Sequence, residues 1–146
     1  TANLYAPKLG RKAKAFICHA TEDKTIAREI YDELAKRDVD PWLDEKNLFA
    51  GQNWDNAIQK VIGESDVILI LLSQHSISKR GYVQKEIRKA LEVADLMPEG
   101  RIYLIPIRLA QIDLPESLAR WHAIDYGSEE FYLKLLRGIQ TAIEES

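Results

Sequence analysis

Polar and apolar positions along this chain follow two rhythms: short continuous apolar runs, and longer stretches with an apolar residue every three or four positions. Residues 13–18 form the first apolar run and predict a buried strand. Ile26, Ala27, Ile30, Tyr31 and Leu34 then make one helical stripe, with Thr21 or Asp23 as cap and Glu22 and Asp23 at its positive end. Residues 38–43 allow only a brief strand, and Pro41 places it near a sheet edge. A polar loop over 44–53 ends in Ala50-Gly51, after which Trp54, Ala57, Ile58, Val61 and Ile62 repeat as a helix stopped by Gly63. The run 66–72 is apolar on both faces, as in the middle of a parallel sheet covered by helices. After a polar loop over 73–81, Val83, Ile87, Ala90, Leu91 and Ala94 mark a third helix, ended at Met97-Pro98-Glu99-Gly100. Residues 101–109 predict another strand, and residues 122–125 a last short one after a loop containing Pro115. Phe131, Leu135, Leu136, Ile139 and Ile143 stripe a closing helix, with Ser128 as cap and Glu129 and Glu130 in its first turn.

Strand and helix thus alternate about five times with short connections, the signature of an α/β domain with a parallel sheet. Right-handed crossovers reduce the topology to a flavodoxin-like doubly wound sheet of about five strands, order 2-1-3-4-5, flanked by helices. Residues 1–12 show no period and read as a linker or tail; residues 13–146 form the domain.

Composition narrows the class without naming a function. A length of 146 residues suits one hydrophobic core, and 46% hydrophobic with 29% charged residues suits a soluble globular chain. A net charge of -3 gives no whole-chain attraction to nucleic acid or an anionic membrane. The longest apolar run has six residues, where a membrane span needs about 20. Cys18 is the single cysteine, so no internal disulfide forms and a cytoplasmic, reducing location is expected.

In a doubly wound sheet, ligands bind outside the carboxyl ends of the strands, here the loops after Cys18, Leu43 and Leu72. Several chemistries lack their residues. No Gly-rich phosphate loop follows the first strand, and no Gly-x-Ser-x-Gly elbow occurs. His19, His75 and His122 are scattered, so no metal site is expected. Cys18, at the end of a buried strand, reads as an inert small hydrophobe. A phospho-acceptor domain of the same topology would need an acid where Leu72-Ser73 stands.

On a wheel of ~100° per residue, Tyr82 and Glu86 share one flank of the third helix, near its start, while Lys85, Arg88 and Glu92 point away. An aromatic ring and a carboxylate beside the crevice can hold a flat or sugar-bearing ligand. Equally, Glu86 can be a solvated residue paired with Lys85 or Lys89, worth about 0.3 kcal/mol. Trp54 fits the core by its spacing, Asp44 and Lys46 can be ordinary loop charges, and Gly51 can be a backbone device.

The residues carry a family resemblance. Lys14-Ala15-Phe16-Ile17-Cys18-His19 resembles the opening strand box of Toll/interleukin receptor (TIR) domains. Asp40-Pro41-Trp42-Leu43-Asp44, followed by Leu48-Phe49-Ala50-Gly51 and Trp54, resembles their second box and its long interaction loop. Ser65-Asp66-Val67 through Ser73 and Ser76, then Tyr82-Val83-Gln84-Lys85-Glu86-Ile87, resembles their third strand and catalytic helix. The agreement runs from residue 14 to residue 145 and is similar to bacterial members of the NAD-cleaving branch.

That resemblance implies an NAD+ glycohydrolase, or nucleosidase, with Glu86 as the catalytic carboxylate. Tyr82 stands where many enzymatic members carry Trp and keeps an aromatic face. Ser73, Ser76, Asp44, Lys46, Ala20 and Thr21 would surround the dinucleotide, which is substrate, so no cofactor is implied. It also implies activation by self-association with other TIR domains, in which loop residues Glu45, Asn47, Leu48, Phe49 and Gly51 of one chain complete the pocket of the next. A linked sensor or oligomerising domain would supply proximity in bacterial defence or cell death. The other readings are a non-catalytic adaptor acting by homotypic assembly, and a binder of a nucleotide-derived signal without turnover.

Overall fold

The computed structural model of the chain describes residues 12–43, 54–77, 87–88, 91–92, 95, 103–119 and 121–145. Among them run five strands: β1 (Ala13–Cys18), β2 (Val39–Trp42), β3 (Val67–Leu72), β4 (Tyr103–Arg108) and β5 (Ile124–Asp125). Helices α1 (Lys24–Lys36), α2 (Trp54–Glu64) and α3 (Phe131–Glu145) connect or follow them. Ile87, Arg88, Leu91, Glu92 and Asp95 are helical as well. All strands pair in parallel in the order β2-β1-β3-β4-β5. This is the doubly wound flavodoxin-like sheet expected from the alternation of apolar rhythms.

The strand period of two divides the core into two halves. On one face Ala13, Ala15 and Ile17 of β1, Val67, Leu69 and Leu71 of β3, and Ile105 and Ile107 of β4 pack with α1 and α3. On the other, Phe16, Cys18, Ile68, Ile70, Leu72 and Leu104 pack with Ile62 of α2 and with Ile87. All six residues of β3 are fully buried. Burying each such side chain is worth about 1.5–3 kcal/mol, which makes β3 the main hydrophobic support of both layers. Asp66 fixes the entry of β3 beside β1: its carboxylate accepts the Lys14 N–H at 2.8 Å, and its own N–H donates to the Lys14 carbonyl at 2.8 Å.

The short edge strand around Pro41 is β2, and Trp42 at its end stacks on Phe16 with centroids 5.0 Å apart. In the stretch that predicts a third helix, Ile87 is buried and Leu91 packs against the second half of the core, while Arg88, Glu92 and Asp95 face solvent. Several local expectations are corrected. Gly63 does not stop α2, which continues to Glu64; Ser65 closes it by donating its hydroxyl to the Val61 carbonyl at 2.6 Å. Neither Thr21 nor Asp23 caps with its side chain, because Thr21–Asp23 forms a separate tight turn ahead of α1. Ser128 turns its hydroxyl back to the Asp125 carbonyl at 3.2 Å, and α3 begins only at Phe131, beyond Glu129 and Glu130. The last strand is limited to Ile124 and Asp125, since only these two pair with β4.

Candidate functional site

β1 and β3 are neighbours in the sheet, yet the chain leaves their carboxyl ends toward opposite faces. After β1 it enters α1, whose Ala27, Ile30 and Leu34 belong to the first half of the core. Beyond β3, Ile87 and Leu91 belong to the second half. Such a divergence opens a crevice between the two exits, the place where doubly wound sheets bind ligands. Two loops flank it, residues 19–23 and residues 73–77.

The first loop is held by its backbone. Asp23 N–H donates to the Ala20 carbonyl at 3.0 Å, and the same oxygen accepts His19 Nδ1–H at 2.6 Å. Ala20 is fully buried and Thr21 is exposed. The second loop is held by its hydroxyls. Ser73 N–H donates to Ser76 Oγ at 2.7 Å, and Ser76 Oγ–H donates to the Ser73 carbonyl at 3.2 Å. Ser73 Oγ accepts the N–H groups of His75 at 3.0 Å and Ser76 at 3.3 Å. Its own proton goes across the crevice to the Asp23 carboxylate at 2.5 Å. Asp23, Ser73 and Ser76 are all buried, so this polar link is shielded from solvent.

A cleft of about 1040 Å³ opens beside it at the carboxyl ends of β3, β4 and β5. Ser73, Gln74 and Ile77 form one wall, residues 108–113 the second, and Asp125 and Tyr126 the third. Arg108 Nε donates to Asp125 Oδ1 at 2.7 Å and joins the ends of β4 and β5. The Tyr126 hydroxyl donates to the Glu29 carboxylate on α1. Burial, and then that bond to an anion, push the Tyr126 phenol well above its ordinary range.

Four of the expected binding residues are thus gathered around the crevice: Ala20 and Thr21 on one side, Ser73 and Ser76 on the other. Glu86, Tyr82, Asp44 and Lys46, and the loop residues Glu45, Asn47, Leu48, Phe49 and Gly51, lie outside the described residues. Pattern reading missed Asp23 as a long-range partner, and missed Arg108, Asp125 and Tyr126 as cleft walls. For Arg108 a signal was available, a charged residue at the carboxyl end of an apolar strand. Among the described residues no three His, Cys, Asp or Glu side chains come together as a metal site requires. No described helix is long and apolar enough to cross a membrane.

The sheet order and the helices on its two faces define a doubly wound α/β domain with a cleft at its strand ends. Residues 15–136 match the family model described as TIR domain, and the chain belongs to that family. It is similar to the protein named NAD(+) hydrolase TcpA from Theionarchaea archaeon (strain DG-70-1), with 31% identity over 93 residues. That match covers 63% of this chain and 27% of the relative, so the chain spans about a quarter of that protein's length. Among solved structures, the TIR domain of the Toll-related receptor TRR-2 from Hydra magnipapillata superposes with a TM-score of 0.70 at 18% identity, covering 86% of this chain and 96% of that one. A metazoan TIR-STING receptor from C. gigas, in complex with 2',3'-cGAMP, gives a TM-score of 0.67 at 20% identity, over 95% of this chain and 41% of that one. At these identities the two structures bear on the fold alone.

Proposed function

We propose that this TIR domain is an NAD+ glycohydrolase that splits the nicotinamide–ribose bond. The observation that carries the reading is its 31% identity over 93 residues to a protein named as an NAD(+) hydrolase. The opposite exits of β1 and β3 support it, since doubly wound sheets bind ligands at such a switch point. Glu86 is the proposed catalytic carboxylate. Tyr82 offers a ring face, Thr21, Asp44 and Lys46 surround the dinucleotide, and the buried Ala20, Ser73 and Ser76 shape the two loops beside it.

One carboxylate is chemically sufficient. Most glycoside hydrolases need a second, protonated acid to help the leaving group depart. In NAD+ the leaving group is already a pyridinium cation. As the C–N bond breaks, its electron pair passes to the ring nitrogen and neutral nicotinamide leaves. An anion stabilises the oxocarbenium-like ribose as positive charge develops. Water then bonds to the anomeric carbon and loses a proton, giving ADP-ribose; attack by the adenine ring instead gives a cyclic form. Self-association with other TIR domains, driven by a linked sensor or oligomerising domain, completes the pocket through residues 44–53 and makes the protein a cytoplasmic effector in defence or cell death.

The test is chromatography of nicotinamide released from NAD+ by concentrated or tethered protein. Glu86→Ala is expected to lower the rate by about 10²-fold or more while assembly stays intact. Release undiminished in Glu86→Ala removes the assignment of that residue. Assembly without any release by the unaltered chain leaves the adaptor reading.

A further inference from the structure

We infer that Asp23 is a positioning residue for the reaction: its carboxylate acts through Ser73 to set the turn that leaves β3 and to hold together the two loops flanking the crevice. The inference rests on the NAD+ reading above. Asp23 stands at the head of α1 with φ -98° and ψ 11°, where an aspartate ordinarily accepts a nearby helix N–H, yet it makes no such bond. Its side chain instead reaches Ser73, 50 residues away in sequence, at 2.5 Å. Asp23 is 6% exposed and Ser73 5%. A buried hydroxyl-to-carboxylate bond of this kind is among the stronger neutral-to-ion hydrogen bonds.

The direction of that bond has a consequence for the turn. An ionised carboxylate can only accept, so Ser73 must donate its single proton to Asp23. Its lone pairs then remain for the N–H groups of His75 and Ser76, which shape residues 73–77. Without an acceptor at Asp23, the hydroxyl rotates toward another acceptor and competes with those amides. The turn loosens and the two exits separate, along with whatever the chain carries beyond residue 77. An amide oxygen at the same place would preserve the bond, so the role requires an acceptor and not a charge.

The experiment compares the unaltered chain with Asp23→Asn, Asp23→Ala, Ser73→Ala and the double variant, by NAD+ turnover kinetics and by hydrogen exchange at the His75 and Ser76 amides. Asp23→Ala is expected to lower kcat by about tenfold or more, and to speed exchange of those amides by a similar factor. Asp23→Asn should stay within about threefold of the unaltered chain on both readouts. The double variant should be no worse than the more damaging single one, as for residues acting through one bond. The inference is overturned if Asp23→Asn is as damaging as Asp23→Ala, if the two single losses multiply, or if Asp23→Ala changes neither readout. Should Asp23→Ala not fold, Ser73→Ala and Asp23→Asn decide on the same criteria. Exchange needs no turnover: an unaltered chain that releases no nicotinamide counts against the NAD+ reading, whereas unaltered exchange in the variants counts against the bridge.

Discussion

Tyr126 follows β5 and is bonded to Glu29 on α1, so a single phenol links the last strand to the first helix. Its pKa in the folded chain is raised above the ordinary 10.0, by burial first and by the Glu29 bond second. The folded state therefore favours the protonated phenol. That contribution is fully present below pH 10 and is lost as the pH rises past it, because the unfolded chain ionises first. Tyr126→Phe should cost about 1 kcal/mol at neutral pH through the missing hydrogen bond. In urea titrations above pH 10, its stability should then fall less steeply than that of the unaltered chain. Equal slopes would count against this assignment. Some slope should persist in the variant, since burial also raises Tyr132. Residue-scale links of this sort were invisible in the pattern of the sequence. Asp23 reads as a cap because Asp before a helical stripe usually is one, and nothing local announces a partner 50 residues away. Ser128 misleads for the same reason, its hydroxyl being used three residues back rather than in the helix ahead.

At the scale of elements the close approach of α3 to β4 turns on Gly138. A Cβ built there would lie 2.9 Å from Ile105 Cδ1, a methyl in the core of the first face. Gly138→Ala gains about 1 kcal/mol of helix propensity and pushes on a side-chain tip, so it should be close to neutral. Gly138→Leu cannot be absorbed in this way and should destabilise by about 1–3 kcal/mol, read as a lowered urea midpoint. A Leu variant as stable as the Ala variant would mean that α3 is free to move away from the sheet. Elements with a strong period were legible in the sequence. The continuous apolar run became β3 with both faces covered, and the i, i+3, i+4 stripes became α1, α2 and α3. Their ends were not, because they depend on single hydrogen bonds: α2 runs past Gly63 to Glu64, where the Ser65 hydroxyl closes it on the Val61 carbonyl.

For the molecule as a whole, the strand order followed from alternation and crossover handedness, two rules that do not depend on any one residue. The divergence of the β1 and β3 exits followed with it. Of the cleft at the ends of β3, β4 and β5, only the wall after β3 was foreseen, since the other two come from residues 108–113 and 125–126, which share no motif. If neighbouring domains complete the pocket, nicotinamide release per molecule should fall as the free chain is diluted and be restored when copies are tethered. A specific activity constant over a wide dilution series would show that a lone chain is sufficient. The two outer strands bear on how such crowding ends. β2 has four residues including Pro41, which has no N–H to give, and β5 has only two. Neither rim offers a foreign chain a long run of backbone to copy, and rims of that kind resist fibril growth. If molecules do gather at high density, rims of this kind would let them disperse again instead of fusing into an inert aggregate.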